Sequence, residues 1–244
     1  MDHNLSQHVS PYYEELFVDG QPPSRQYYAG AAKGLSRRLK GWLPAARDVR
    51  CVELGCGRGE MLFLLGQMGV ADLTGVDITP EQLAAAGQFT SAKLVCSDVP
   101  EYLRQCPDES VDFFFAMSFL EHLDTAVLPA VLADCRRVLR PGGALIAQVP
   151  NAVSLFGSGA RHWDISHQSA FTVFGVRQLA RIAGFDPAAV AFREWSAPWG
   201  GPRSTLRAIL WRILRLKIMA YLWIECGGLR GGIYTWDMLF RMVR

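Results

Sequence analysis

Three glycines at alternate positions, Gly55, Gly57 and Gly59, follow the apolar run Cys51-Val52-Glu53-Leu54 and lead into a helix-forming stretch. Glycine takes positive φ and carries no Cβ, so a turn of this kind brings bare backbone against a ligand. A dinucleotide fingerprint spaces its glycines G-x-G-x-x-G and seats a pyrophosphate on the following helix N-terminus. Here the spacing is G-x-G-x-G, and Glu53 stands two residues before the first glycine, where a carboxylate repels a pyrophosphate and attracts a cation. Asp77 closes the second apolar run, Asp72 to Asp77, at the place where an acid accepts the hydroxyls of a ribose. These residues suit a cationic nucleoside without phosphate. Cys56, inside the turn, reads as a small residue and not as a nucleophile, since no base is evident beside it. A second constellation, Arg161-His162-Trp163-Asp164-Ile165-Ser166-His167, places two imidazoles, a carboxylate and an indole on a Gly/Ser-rich loop. Neutral imidazole titrates near the working pH, so His167 is the first candidate for a general base, with Asp164 orienting it or serving instead. A metal site of His162, Asp164 and His167 lacks a further ligand pair at helical or turn spacing, and none is expected.

Periodicity supplies the elements that must hold these groups. Between 51 and 150, short apolar runs alternate with amphipathic stretches: strands at 51–55, 72–77, 92–96, 111–116 and 143–149, and helices at 59–68, 80–87, 99–105 and 125–138. That alternation implies a parallel sheet with right-handed crossovers and strands covered on both faces. Ligands bind such sheets at the carboxyl ends of the strands, where all the residues named above fall. Residues 1–48 suggest two helices, near 11–17 and 24–40, separated by prolines and carrying Tyr12, Tyr13, Phe17, Tyr27 and Tyr28. Beyond 151 the sequence predicts a helix over Gln178–Ala183 ended by Gly184, a strand near 188–194, and a closing strand over 233–243.

In order along the chain, Val52 to Glu60, Asp77, Ser97-Asp98 and Leu139-Arg140-Pro141-Gly142-Gly143 resemble the motifs of class I S-adenosylmethionine-dependent methyltransferases. The resemblance implies an α/β, Rossmann-like, doubly wound sheet of seven strands, mostly parallel, with the last strand inserted antiparallel. It implies S-adenosyl-L-methionine at Glu53, Gly55, Cys56, Gly57, Gly59 and Asp77, with Ile78 against the adenine ring, Asp98 and Val99 at its amino edge, and Met117 beneath the methionyl part. The N-terminal helices would form a lid, in which Tyr13 and Tyr28 either cover the cofactor or only dock the helices on the core. The acid–histidine pair Glu121-His122 would lie near the acceptor, and His122 is the second candidate base; both residues also suit the start of a helix. Asp164-x-x-His167, Phe171-Thr172 and Ala183-Gly184-Phe185 look like the corresponding part of bacterial methyltransferases acting on small molecules and on saccharides of surface polysaccharides. The expected reaction is O-methylation of a hydroxyl on a saccharide or similar small acceptor. The rivals are N- or C-methylation of a metabolite, a dinucleotide-dependent oxidoreductase, against which the glycine spacing and Glu53 speak, and a cofactor-binding interaction protein without catalysis.

The chain reads as one domain over 1–244: lid helices to 48, a cofactor half over 49–150, and an acceptor-side half over 151–244. A hydrophobic content of 50% and a net charge of +2 are ordinary for a globular protein and give no bulk charge for nucleic acid. The six cysteines form no C-x-x-C pair and no secretory signal precedes them, which favours a reducing cytoplasm. An insertion over 203–226 departs from a minimal methyltransferase. Leu206, Ile209, Ile213, Leu216, Ala220 and Trp223 form one helical apolar face. The remaining arc mixes Arg203, Arg207, Arg212, Arg215 and Lys217 with Trp211, Leu214, Ile218 and Met219. It is too charged to span a bilayer. It suits peripheral binding at the inner face of an anionic membrane, a homodimer interface, or a lid.

Overall fold

The computed structural model describes residues 24–195, 201–228 and 232–244. The expected helix near 11–17, and with it Tyr13, lies outside the described residues. Seven strands form one sheet: β1 (Arg50–Leu54), β2 (Asp72–Asp77), β3 (Lys93–Cys96), β4 (Val111–Met117), β5 (Leu139–Pro150), β6 (Ala191–Glu194) and β7 (Asp237–Val243). Their order is β3-β2-β1-β4-β5-β7-β6. Strands β1 to β5 pair in parallel, and β7 enters antiparallel between β5 and β6, as the resemblance implied. The order reverses between β1 and β4, which opens a crevice at their carboxyl ends.

Helices cover both faces. On one lie α1 (Arg25–Arg38), α2 (Glu60–Gln67) and α3 (Pro80–Ala86), whose buried residues Tyr28, Ala32, Met61, Leu62 and Leu83 share a core with Cys51 and Phe115. On the other lie α4 (Val99–Gln105), α5 (Leu128–Val138) and α7 (Val173–Ile182), packed on Val52, Leu54, Phe114 and Leu145. A short helix α6 (Gly157–His162) sits in the loop after β5, and α8 (Pro202–Cys226) precedes β7. Buried on both faces, β1 reads as the continuous apolar run that the sequence shows.

Three elements begin four or more residues from where the sequence places them. Helix α7 starts five residues before Gln178 because the Thr172 hydroxyl accepts from Gly175 N–H (2.9 Å) and caps it. Strand β5 extends back to Leu139, with a register shift between Val111 and Phe113 where the Pro141-Gly142-Gly143 segment bulges. Strand β7 begins only at Asp237, because the preceding residues bend and their carbonyls are taken by a side chain: Asn151 donates its side-chain N–H groups to Ile233 O (3.0 Å) and Thr235 O (2.9 Å).

Helix α8 is as long as expected but rotated. Leu206, Ile209, Ile213, Leu216 and Trp223 are exposed, and the buried residue is Ile218, on the arc expected to face outward. The cause is polar. Trp211 donates its indole N–H to Glu194 Oε2 (2.9 Å), and Arg215 pairs with Glu194 Oε1 (3.4 Å) while donating to Gly232 O (3.0 Å). Anchored by one carboxylate on β6, the helix turns Trp211, Arg215 and Ile218 inward and leaves its apolar stripe to solvent. Among the described residues, no helix is long and apolar enough to cross a membrane.

Candidate functional site

The glycine turn is built from both sides. Gly55, Gly57 and Gly59 have φ of +64°, +48° and +81°. Each solves a different steric problem. A Cβ on Gly55 would lie 2.3 Å from Phe119 Cδ2, so the Phe119 ring packs directly on the turn; a Cβ on Gly59 would press Ala86 at 3.1 Å. A Cβ on Gly57 would meet nothing within 4 Å, so this is the glycine that faces the crevice. Cys56 is buried, with its Sγ 2.8 Å from where a Cβ on Gly75 would stand. Burial, with Glu53 and Asp77 nearby, pushes its thiol far above the usual range, so Cys56 packs and does not attack.

Asp77 holds the turn shut. Its Oδ2 accepts from Gly57 N–H (2.8 Å) and its Oδ1 from Thr79 N–H (2.9 Å), each oxygen keeping a lone pair for a ligand. Beyond it, Ile78 is half exposed at 50%, Asp98 is exposed at the start of α4, and Val99 is buried beneath it. Met117 ends β4, partly buried. Tyr28 is fully buried, stacks on Phe89 at 4.4 Å, and donates its hydroxyl proton to Arg58 O (2.7 Å). Tyr28 therefore docks α1 and braces the turn from behind and is not a cover over the crevice. Tyr27 lies nearer the surface and donates to Glu60 Oε1 (2.9 Å).

Glu53 does more than its charge suggested. It is 3% exposed, one carboxylate oxygen takes the main-chain N–H of Leu62 in the first turn of α2, and Oε2 has no hydrogen-bond partner among the described residues. Burial raises its pKa well above the usual range, Glu60 and Asp77 add to the rise, and the Leu62 N–H opposes it. An orphaned, buried acceptor at this edge fits a ligand with positive charge and N–H donors.

The second constellation also assembles at this edge. Phe119, which lies on Gly55, is followed by a 3₁₀ turn, Leu120–His122. The loop 161–169 reaches it through Gln168 and Ser169, whose N–H groups donate to Glu121 O (2.7 and 3.3 Å). His122 and His167 meet edge to face, with ring centroids 4.9 Å apart. Asp164, 3% exposed, accepts from both Ser166 N–H (2.8 Å) and Ser166 Oγ–H (2.6 Å), and Ser166 Oγ lies 2.8 Å from His122 Nδ1. Asp164 thus reaches His122 through Ser166, and its burial makes it an anchor. His167 Nδ1 faces Ala160 O at 3.2 Å and must carry the proton there, which leaves the lone pair on Nε2. Burial lowers the pKa of His122 to about 4, His167 beside it adds to the fall, and Asp164 and the Ser118 main chain oppose it. Burial raises Glu121 to about 8, against a main-chain hydrogen bond, with Asp237 and Asp164 adding to the rise. His162 is exposed and takes no part in this group.

Comparison with known proteins agrees with this architecture. Residues 52–147 match a family model described as a methyltransferase domain. Over that segment the chain resembles a class I S-adenosylmethionine-dependent methyltransferase domain. A 27-O-demethylrifamycin SV methyltransferase of Amycolatopsis mediterranei is 32% identical over 120 residues, covering 47% of this chain and 43% of that protein. A sterol 4-C-methyltransferase of Caenorhabditis elegans is 30% identical over 123 residues, covering 48% of this chain and 35% of that protein. The chain thus matches less than half the length of these curated relatives. A solved S-adenosylmethionine-dependent methyltransferase from Archaeoglobus fulgidus shares the fold, with a TM-score of 0.66 at 22% identity over 96% of this chain and 99% of that one. The cofactor of this domain is S-adenosyl-L-methionine, and the orphaned Glu53 oxygen, the open space at Gly57 and the exposed Ile78 fit it.

Sequence reasoning missed the capping of α2 by Glu53, the Ser166 bridge, and the union of Glu121 with His167. Only the first had a local signal, an acid just before a glycine turn that opens a helix.

Asp77→Ala is expected to weaken S-adenosylhomocysteine binding by about 1.5–3 kcal/mol, through lost charge-assisted hydrogen bonds and a loosened turn. Calorimetry checks this, with the thermal transition as a control for folding; an unchanged dissociation constant would remove Asp77 from the site.

Proposed function

We propose that this chain is an S-adenosylmethionine-dependent methyltransferase that methylates a hydroxyl oxygen of a saccharide or similar small acceptor. The observation that carries the reading is the imidazole cluster of His122 and His167, joined to the glycine turn by Phe119 on Gly55. The cofactor would supply an electrophilic methyl carbon on a sulfonium, open to in-line attack by an acceptor oxygen with the neutral thioether as leaving group. The chain supplies alignment and a place for the proton. As the O–CH₃ bond forms and the sulfonium S–CH₃ bond breaks, the hydroxyl proton goes to His167 Nε2, whose lone pair is fixed by the bond from Nδ1–H to Ala160 O. Asp164, through Ser166, keeps His122 in place beside it. Trp163 and Trp236, partly exposed and edge to face at 6.0 Å, offer apolar ring surface of the kind that lines small-molecule sites and suits the C–H face of a sugar. Resemblance of the 164–185 segment to bacterial methyltransferases acting on small molecules and on saccharides supports the same acceptor class. The relatives' names include both a C- and an O-methyltransferase, and on carbon or nitrogen His167 would only position the acceptor.

His167→Ala is expected to lower turnover by roughly 10²–10⁴-fold, while S-adenosylhomocysteine affinity stays near wild type. Loss of activity on His122→Ala alone would move the base to the other histidine, and product from an amine or carbon acceptor but from no hydroxyl would overturn O-methylation.

The rotated α8 supports peripheral attachment to an anionic membrane at the cytoplasmic face, where a lipid-linked saccharide would be presented. Its exposed surface carries Leu206, Leu210, Ile213 and Trp223 beside Arg203, Arg207 and Lys217. Each basic residue near such a surface contributes about 1 kcal/mol. Liposome flotation should rise with anionic lipid, fall with salt, and vanish when Arg203, Arg207 and Lys217 become Glu. Equal flotation with neutral vesicles, or none together with a dimer by light scattering, would give the helix to an interface between copies.

A further inference from the structure

Glu121, His122 and His167 each bring one potential ligand atom to within 4.8 Å of the other two. Their surroundings are those of ligands. The Glu121 side chain is 1% exposed, yet among the described residues its Oε2 has no hydrogen-bond partner and no ion pair includes it. A buried carboxyl oxygen in that condition costs free energy unless a donor or a cation meets it. His167 gives its Nδ1–H to Ala160 O, which turns the basic Nε2 outward; an imidazole tied to a main-chain carbonyl in this way is the usual posture of a metal-bound histidine. His122 has a comparable outer support, since Ser166 gives its own proton to Asp164 and its oxygen faces His122 Nδ1. The three residues come from two segments that the Glu121 carbonyl clips together by accepting from Gln168 and Ser169.

We propose that Glu121, His122 and His167 bind one divalent first-row cation, with Zn²⁺ as the best match to two imidazole nitrogens and one carboxylate oxygen. Ligands about 2.0–2.2 Å from such an ion lie about 3–3.5 Å from one another, so the group must contract by roughly an ångström on binding. Three protein ligands leave a coordination position open, as in catalytic and not structural sites. The inference rests on the O-methylation reading and deepens it: the acceptor hydroxyl occupies the open position, is acidified by coordination, and loses its proton to solvent before its oxygen attacks the methyl. His167 then serves as a ligand, so the loss of turnover in His167→Ala is common to both descriptions and another readout must separate them.

The experiment strips the full chain with a chelator and titrates it with Co²⁺, read by visible absorption, and with Zn²⁺, read by calorimetry. The expected result is one equivalent per chain, with affinity falling at least 100-fold in Glu121→Gln and in His167→Ala, roughly 10-fold in Ser166→Ala, and not at all in His162→Ala, exposed beside the cluster. Glu121→Gln keeps shape and volume, and an unchanged thermal transition certifies its fold. No saturable binding, or binding indifferent to Glu121→Gln and His167→Ala, overturns the site while leaving a metal-free O-methyltransferase intact. A normal isotherm without product from any hydroxyl acceptor upholds the site and defeats the O-methylation reading instead.

Discussion

A single buried carboxylate sets the terms for this structure. Glu53 lies near the carboxyl end of β1, an interior strand of the sheet, with one oxygen on the Leu62 N–H and the other without a partner among the described residues. Taking an ionised carboxylate out of water costs several kcal/mol, and a helix N-terminus returns only part of that. The remainder must come from protonation or from a cation. A cofactor with a sulfonium and an ammonium supplies the second, whereas a pyrophosphate would make the burial worse. The same residue thus explains why α2 starts where it does and why this α/β crevice takes a positively charged nucleoside.

The acceptor side follows from how tightly the loops are tied to that crevice. Phe119 closes on Gly55, the Glu121 carbonyl holds Gln168 and Ser169, and Asn151 fixes both its own turn, by accepting from Val153 N–H (3.0 Å), and the lead-in to β7. Side chains far apart in sequence are thereby delivered to one place by main-chain hydrogen bonds, which hold geometry better than flexible side-chain pairs. An in-line transfer needs that rigidity, because its acceleration comes from alignment.

Much of the cofactor half was legible in the sequence. Its strands are buried on both faces and its glycines sit at fixed offsets from an acid, so short-range pattern carries the information. Helix α7 was legible in part, through its Gly184 stop, but periodicity alone placed its start too late because the Thr172 cap was not read. What could not be read depends on partners distant along the chain. The rotation of α8 is decided by Glu194, Trp211 and Arg215, against the apolar periodicity that pointed to the opposite face. Tyr28 suits a lid or a core equally by its sequence position, and its contacts with Phe63 and Phe89 place it in the core. The meeting of Glu121 with His167 is a consequence of topology, since neither segment alone shows a ligand spacing.

The claim on which the account turns is that the crevice is built around an uncompensated acid. Burial raises the pKa of Glu53, with Glu60 and Asp77 adding to the rise, and a cation beside the carboxyl lowers it again, so binding a cationic ligand is linked to proton release. The direct test is the heat of S-adenosylmethionine binding at one pH in buffers of different ionisation enthalpy. The account predicts a heat that varies with the buffer, corresponding to release of up to about one proton per chain, and loss of that variation in Glu53→Gln. Identical heats in every buffer for the unmodified chain would contradict it.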